Sequence, residues 1–125
     1  MRFLLDTWVL LWWLDDSPVL SAEARGCISD GRNTVYVSAI SIWEIVIKHA
    51  LGKLEIPPNF REVVLAEPFQ FLSVSAEHAF AVGELPDHHR DPFDRMLVAQ
   101  CRVEGTTLVT RDADLRRYGV SILNA

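Results

Sequence analysis

The chain has 125 residues, half of them hydrophobic, which describes a globular chain able to bury roughly two-thirds of its unfolded surface rather than a disordered segment. Its formal net charge is −5 and Lys48 and Lys53 are its only lysines, which argues against broad nonspecific adhesion to nucleic acid and leaves room only for locally placed arginines. Cys27 and Cys101 have no metal-ligand spacing and read as buried free thiols of a reducing cytoplasm. Arg2 and the apolar run after it mimic a leader, but Asp6 interrupts the run and no small-residue cleavage site follows. No stretch approaches the ~20 apolar residues of a membrane span. The expectation is a single domain over residues 1–125, cytoplasmic, with no membrane partner.

The apolar run Arg2–Leu5 suits a buried strand, ended by Asp6-Thr7. Trp8, Leu11 and Trp12 then recur at helical spacing and are expected in the core. Ser21 to Asp30 predicts a second helix with Ser21 as N-cap, followed by a turn at Gly31-Arg32-Asn33 and a β-branched strand Thr34–Ser38. The next helix opens at Ser41 and runs to about Leu51, where Gly52 stops it. Pro57-Pro58 separates it from a helix at Asn59–Ala66. Phe69–Val74 is a short extended piece, and Ser75–Val82 a short helix capped by Ser75. Leu85-Pro86-Asp87 is a turn before the long helix that opens at Asp91-Pro92 and ends before Gly105. Thr106–Val109 is a strand closed by Thr110-Arg111-Asp112, Asp114–Tyr118 a helical turn, and Gly119–Leu123 a last strand. Strands alternating with helices predict an α/β fold with a parallel sheet covered on both faces.

In such a fold helix N-termini and strand C-termini share one edge of the sheet, where ligands bind. Asp6 and Asp112 end strands; Glu44 and Asp94 are expected in first turns of helices. Each acid has an ordinary explanation. Asp6 caps the next helix, Ser41-x-x-Glu44 is a capping box with Ile40 and Ile45 as a staple, and Asp112 is a turn residue. Asp91 is an N-cap, with Asp94 reaching back to its amide or Arg95 pairing with it. None of these explains the shared edge. Crowded carboxylates raise one another's pKa, and a divalent cation removes that penalty. Carboxylates without His or Cys suit Mg²⁺ or Mn²⁺ rather than Zn²⁺.

Four stretches resemble the PIN-domain ribonuclease family, and within it the VapC-type toxins of bacterial toxin–antitoxin pairs. They are Leu4-Leu5-Asp6-Thr7, the segment Ser38 to Ile45, Leu85-Pro86 with the block His89 to Gln100, and Leu108-Val109-Thr110-Arg111-Asp112. The Asp-Pro-Phe-Asp-Arg block at 91–95 is specific; a lone Leu-Asp-Thr would be weak. The resemblance spans residues 2 to 122 and implies an α/β/α sandwich with a short parallel sheet. The family's acidic quartet maps onto Asp6, Glu44, Asp94 and Asp112. Asp6 and Asp94 are then the principal metal ligands. Glu44, Asp91 and Asp112 are further candidates, and Asp114 is a reserve for Asp112.

The implied activity is a Mg²⁺-dependent endoribonuclease, with Mn²⁺ as an alternative ion, attacking an RNA phosphodiester in line. Thr7, Ser38 and Thr110 are candidates to orient the carboxylates. Arg90, Arg95 and Arg111 are candidates to hold the RNA backbone. The implied partners are a cognate small antitoxin and a second copy of the chain. Trp43, Ile47 and Leu51, with Ile56 and Phe60, would form an apolar groove for an antitoxin segment, with Trp8 and Trp12 as the alternative surface. A metal-free ribonuclease using His88 and His89 is a rival. A non-catalytic binding module of the same fold, whose acids are all helix caps, is another. An Asp-x-Asp phosphatase fails because Trp8 follows Asp6-Thr7, and a receiver domain fails because both lysines lie at 48–53.

Overall fold

The computed structural model describes residues 1–125. Five strands form one parallel sheet: β1 (Arg2–Leu5), β2 (Thr34–Ser38), β3 (Gln70–Leu72), β4 (Thr107–Thr110) and β5 (Ile122–Asn124), in the order β3-β2-β1-β4-β5. Leu5 stands opposite Val37 on one side and Val109 on the other, so the central strands end level with one another. Helices α1 (Thr7–Leu14), α2 (Ala22–Ser29), α3 (Ala39–Ala50), α4 (Phe60–Leu65), α5 (Ala76–Gly83) and α6 (Pro92–Glu104), and a 3-10 helix at Ala113–Tyr118, fill the connections.

Alternation along the strands splits the core in two. Phe3, Leu5, Val35, Val37 and Val109 face one layer, packed against Val9, Leu10, Ala24, Ile28, Ile45, Phe60 and Val64. Leu4 and Leu108 face the other, against Leu97, Val98, Cys101, Leu115 and Tyr118. The result is the expected three-layer α/β/α sandwich. Cys101 is buried and free, and burial pushes its thiol up to about 12. No helix is long and apolar enough to cross a membrane.

Local chemistry sets most of the element ends. Ser21 accepts from the Ala24 amide to open α2, and Ser75 forms a reciprocal capping box with His78 to open α5. Gly105, at φ 68°, ends α6 in the left-handed conformation that an L side chain resists. Two expectations are corrected. Helix α3 starts at Ala39 with Ser38 as its cap, because the Ser38 hydroxyl captures the Ile40 amide as β2 ends. The Ser41–Glu44 capping box therefore does not exist, and Glu44 lies in the second turn. The second correction concerns Trp8: Leu11 and Trp12 pack partly buried against the core as expected, but Thr7, Val9 and Leu10 are the buried face of α1 and Trp8 is 48% exposed.

Candidate metal centre

The residues after β1 and β4 meet at the carboxyl edge of the sheet, where α6 begins beside them. Asp6, Asp94, Asp112, His89, Trp8, Trp12 and Arg111 line a cleft of about 580 Å³ there. Asp6 caps α1: its Oδ1 accepts from the Val9 amide at 2.7 Å, and its Oδ2 accepts from the Thr110 hydroxyl at 2.5 Å. Burial, reinforced by the charges of Glu44 and Asp112, pushes Asp6 up to about 6 although both hydrogen bonds pull it down. Asp112 caps the 3-10 helix through the Asp114 amide at 3.0 Å, and its Oδ2 accepts from His89 Nε2 at 2.9 Å.

Asp91 caps α6 through the amides of Phe93 and Asp94, with Pro92 in the first turn. Its own amide donates to His89 Nδ1 at 3.1 Å, so Asp94 does not reach back to it, and Arg95 does not pair with it either. Asp94 is left with a carboxylate that accepts no hydrogen bond. The nearest side-chain cation-forming group is His89 Nε2, at 3.6 Å. Burial, then the charges of Asp91, Asp6 and Glu44, push Asp94 up to about 7, with the His89 ring acting in the opposite direction. Donor atoms of His89, Asp94 and Asp112 lie within 4.8 Å of one another.

Glu44 is placed differently from the other three acids. It is buried, its Oε1 accepts from the Thr7 hydroxyl at 2.6 Å, and its Oε2 pairs with Lys48 at 2.5 Å. It does not line the cleft. The i,i+4 spacing of Glu44 and Lys48 on α3 makes that pair. Ser38 is also committed elsewhere, to the Ile40 amide.

Two of the three arginines expected to hold RNA make hydrogen bonds to the protein, although Arg111 also lines the cleft. Arg95 donates to the carbonyls of Pro86 and Val82 and to the Tyr118 hydroxyl, at 2.9, 3.2 and 3.2 Å, tying the turn before α6 to the helix. Arg111 donates to the carbonyls of Val19 and Ala125 and lies over the Trp12 ring. Of these three arginines, Arg90 alone is without such ties, and it is exposed. No arginine or lysine pairs with Asp6, Asp94 or Asp112. His89, weighed from the sequence only as an acid or base, is instead a neighbour of two acids, while His88 packs edge-on against Tyr118.

Three carboxylates converge without a balancing side-chain cation, and one of them has no hydrogen bond. This donor set suits a hard divalent ion. The apolar groove lies on another surface: Ile42, Val46, Phe60, Val64, Leu65 and Phe71 line about 410 Å³ between α3, α4 and β3. Trp43 is not part of it and meets Phe93 instead, at 6.0 Å between rings. Ile47, Leu51 and Ile56 do not line it either; the groove uses the α3 face of Ile42 and Val46.

A family model described as a PIN domain matches residues 3–121. No curated protein sequence matches the chain significantly. Among solved structures, VapBC2 from Rickettsia felis bound to a promoter DNA fragment is similar at 18% identity and TM-score 0.75, over 100% of this chain and 99% of that one. DNA-bound VapBC from Salmonella typhimurium is similar at 18% identity and TM-score 0.73, over 99% and 98%. The PIN domain endonuclease Utp24 is similar at 16% identity and TM-score 0.58, over 99% and 84%.

Proposed function

The chain belongs to the PIN domain family, and we propose that it is a Mg²⁺-dependent endoribonuclease, also served by Mn²⁺, acting as the toxin of a toxin–antitoxin pair. The observation that carries this reading is Asp94. Its carboxylate accepts no hydrogen bond, no arginine or lysine pairs with it, and burial with the neighbouring carboxylates pushes it up to about 7. A binding module whose acids are caps explains Asp6, Asp91 and Asp112, all of which cap helices, but leaves Asp94 without a purpose.

In this reading Asp94 and Asp6 are the principal ligands and Asp112 completes the site. A divalent ion bound there supplies an activated water and offsets charge on the phosphoryl oxygens. Asp6 is aimed by the Val9 amide and the Thr110 hydroxyl. Glu44 has both oxygens occupied, so it acts through water or through its charge on Asp6. Asp91 supports the site as the cap that fixes the start of α6. Trp8 exposes an aromatic face on the cleft wall against which an unpaired RNA base can stack, and Arg90 is the arginine free to meet a phosphate.

The partner is a small antitoxin whose amphipathic segment fills the groove of Ile42, Val46, Phe60, Val64, Leu65 and Phe71. Val46, Leu65 and Phe71 are 51%, 57% and 46% exposed there, so the groove presents apolar side chains to solvent. The VapBC character of the Rickettsia and Salmonella structures supports this choice of partner. A second copy of the chain would use a separate face, where Phe80 on α5 is 77% exposed.

The test is incubation of the purified chain with total cellular RNA, with Mg²⁺ and with EDTA, followed by mapping of the ends. Cleavage that needs Mg²⁺ and disappears in Asp94→Asn is expected. Cleavage that survives EDTA and leaves 2′,3′-cyclic phosphates would transfer the chemistry to the histidines.

A further inference from the structure

His89 sits close enough to Asp94 and Asp112 to pass for a third metal ligand. Its other ring nitrogen argues against that. His89 Nδ1 faces the Asp91 backbone amide at 3.1 Å. A backbone amide only donates, so Nδ1 must carry the lone pair. The ring proton is then on Nε2. That N–H donates to Asp112 Oδ2 at 2.9 Å.

A histidine that binds metal through Nε2 must carry its proton on Nδ1 and give it to an acceptor. Here that would set two N–H groups against each other. The Asp91 amide cannot turn away, because Asp91 caps α6 and Pro92 follows it in the first turn. The start of α6 therefore dictates the tautomer of His89, and the tautomer makes the ring a donor.

We infer that His89 is a positioning residue: an Nε2–H donor that clamps Asp112 Oδ2 and turns that carboxylate toward the ion, rather than a ligand itself. The two oxygens of Asp112 are then held separately, Oδ1 by the Asp114 amide and Oδ2 by His89. Each oxygen keeps a lone pair for the cleft. The inference rests on the proposed metal centre.

Two measurements test it. In the metal-free protein, ¹⁵N NMR of the ring nitrogens at neutral pH, assigned by the signals lost in His89→Gln, reports the tautomer. Mn²⁺ binding by calorimetry and pulsed EPR reports the ligands. Expected are the Nε2–H tautomer, no imidazole nitrogen coupled to bound Mn²⁺, and an affinity for Mn²⁺ about tenfold weaker in His89→Ala. His89→Gln should recover most of that loss, since its amide N–H reaches the same place. An imidazole coupling to Mn²⁺ that vanishes in His89→Gln overturns the inference, as does unchanged affinity in His89→Ala. An Nδ1–H tautomer overturns it even if Mn²⁺ binds. If the Nε2–H tautomer is found but the wild-type chain binds no Mn²⁺, the metal centre itself is wrong, and the clamp on Asp112 falls with it.

Discussion

Thr110 donates its hydroxyl to the Asp6 carboxylate at 2.5 Å across 104 residues of sequence. The bond exists because β1 and β4 pair in parallel with Leu5 opposite Val109, which brings the next residue of each strand to the same edge. The same hydroxyl accepts the Asp112 amide N–H at 3.1 Å, so one side chain joins the backbones that carry two of the acids. Thr110→Val keeps the shape and removes both bonds. We expect a loss of about 1–3 kcal/mol in urea denaturation at neutral pH. Asp6, already at about 6, should rise further, so Mg²⁺ binding should fail at a higher pH than in wild type. Titrations of Mg²⁺ affinity against pH that superimpose for the two proteins would refute this.

Asp6 and Asp94 both have folded pKa values raised from 3.8, to about 6 and about 7. The folded state therefore holds their protons more tightly than the unfolded state does. Their contribution to stability is complete below pH 3.8 and is lost as pH rises through 6 and then 7. Metal-free protein should lose roughly 2–5 kcal/mol over that window relative to the Asp6→Asn/Asp94→Asn double variant. Mg²⁺ should restore stability on the alkaline side and do little on the acid side. Urea midpoints of both proteins, with and without Mg²⁺, check the sign.

Asp94→Asn and Asp91→Asn should separate a ligand from a cap. Asn is nearly as good an N-cap as Asp, so Asp91→Asn should keep its fold and most of its activity. Asp94→Asn removes a charge that accepts no hydrogen bond, so cleavage should disappear while the midpoint in urea holds or rises. Equal losses of activity in the two variants would bring Asp91 into the metal site.

Lys48→Met leaves Glu44 without its cation while the carboxylate stays buried. The lysine end of the pair is about one-third exposed, which softens the penalty. A loss of about 1–3 kcal/mol is expected, and Glu44→Gln in the same chain should recover part of it. A double-mutant cycle in urea measures the coupling; a value near zero would mean that water already screens the pair.

Val46→Glu places a charge in the groove at a residue 51% exposed, so folding should be preserved. Binding of the proposed antitoxin partner should fall at least tenfold, while Trp43→Ala, outside the groove, should bind normally. Loss of binding in Trp43→Ala alone would return the partner to the surface expected from the sequence.

Order of elements, most caps and the stop at Gly105 could be read from the chain, because each depends on residues within a few positions. The convergence of Asp6, Asp94 and Asp112 was also legible, since alternating strands and helices put strand ends and helix starts on one edge. The cap of α3 lies at Ser38 rather than Ser41, three residues earlier, because two serines compete for it and the winner is the one that β2 delivers. A cap at Ser41 would assign Glu44 to a capping box, although its i,i+4 spacing to Lys48 held the better clue. Arg95 and Arg111 looked like phosphate contacts because a backbone carbonyl leaves no mark in sequence, and carbonyls are what hold them. His89 joined the acids only in three dimensions. Its contact with Asp112 spans 23 residues and depends on α6 and β4 lying side by side, while the amide that sets its tautomer is two residues away and belongs to a helix cap. Short-range hydrogen bonding is written in the chain; which carboxylates are left without a partner is settled only when distant segments have packed.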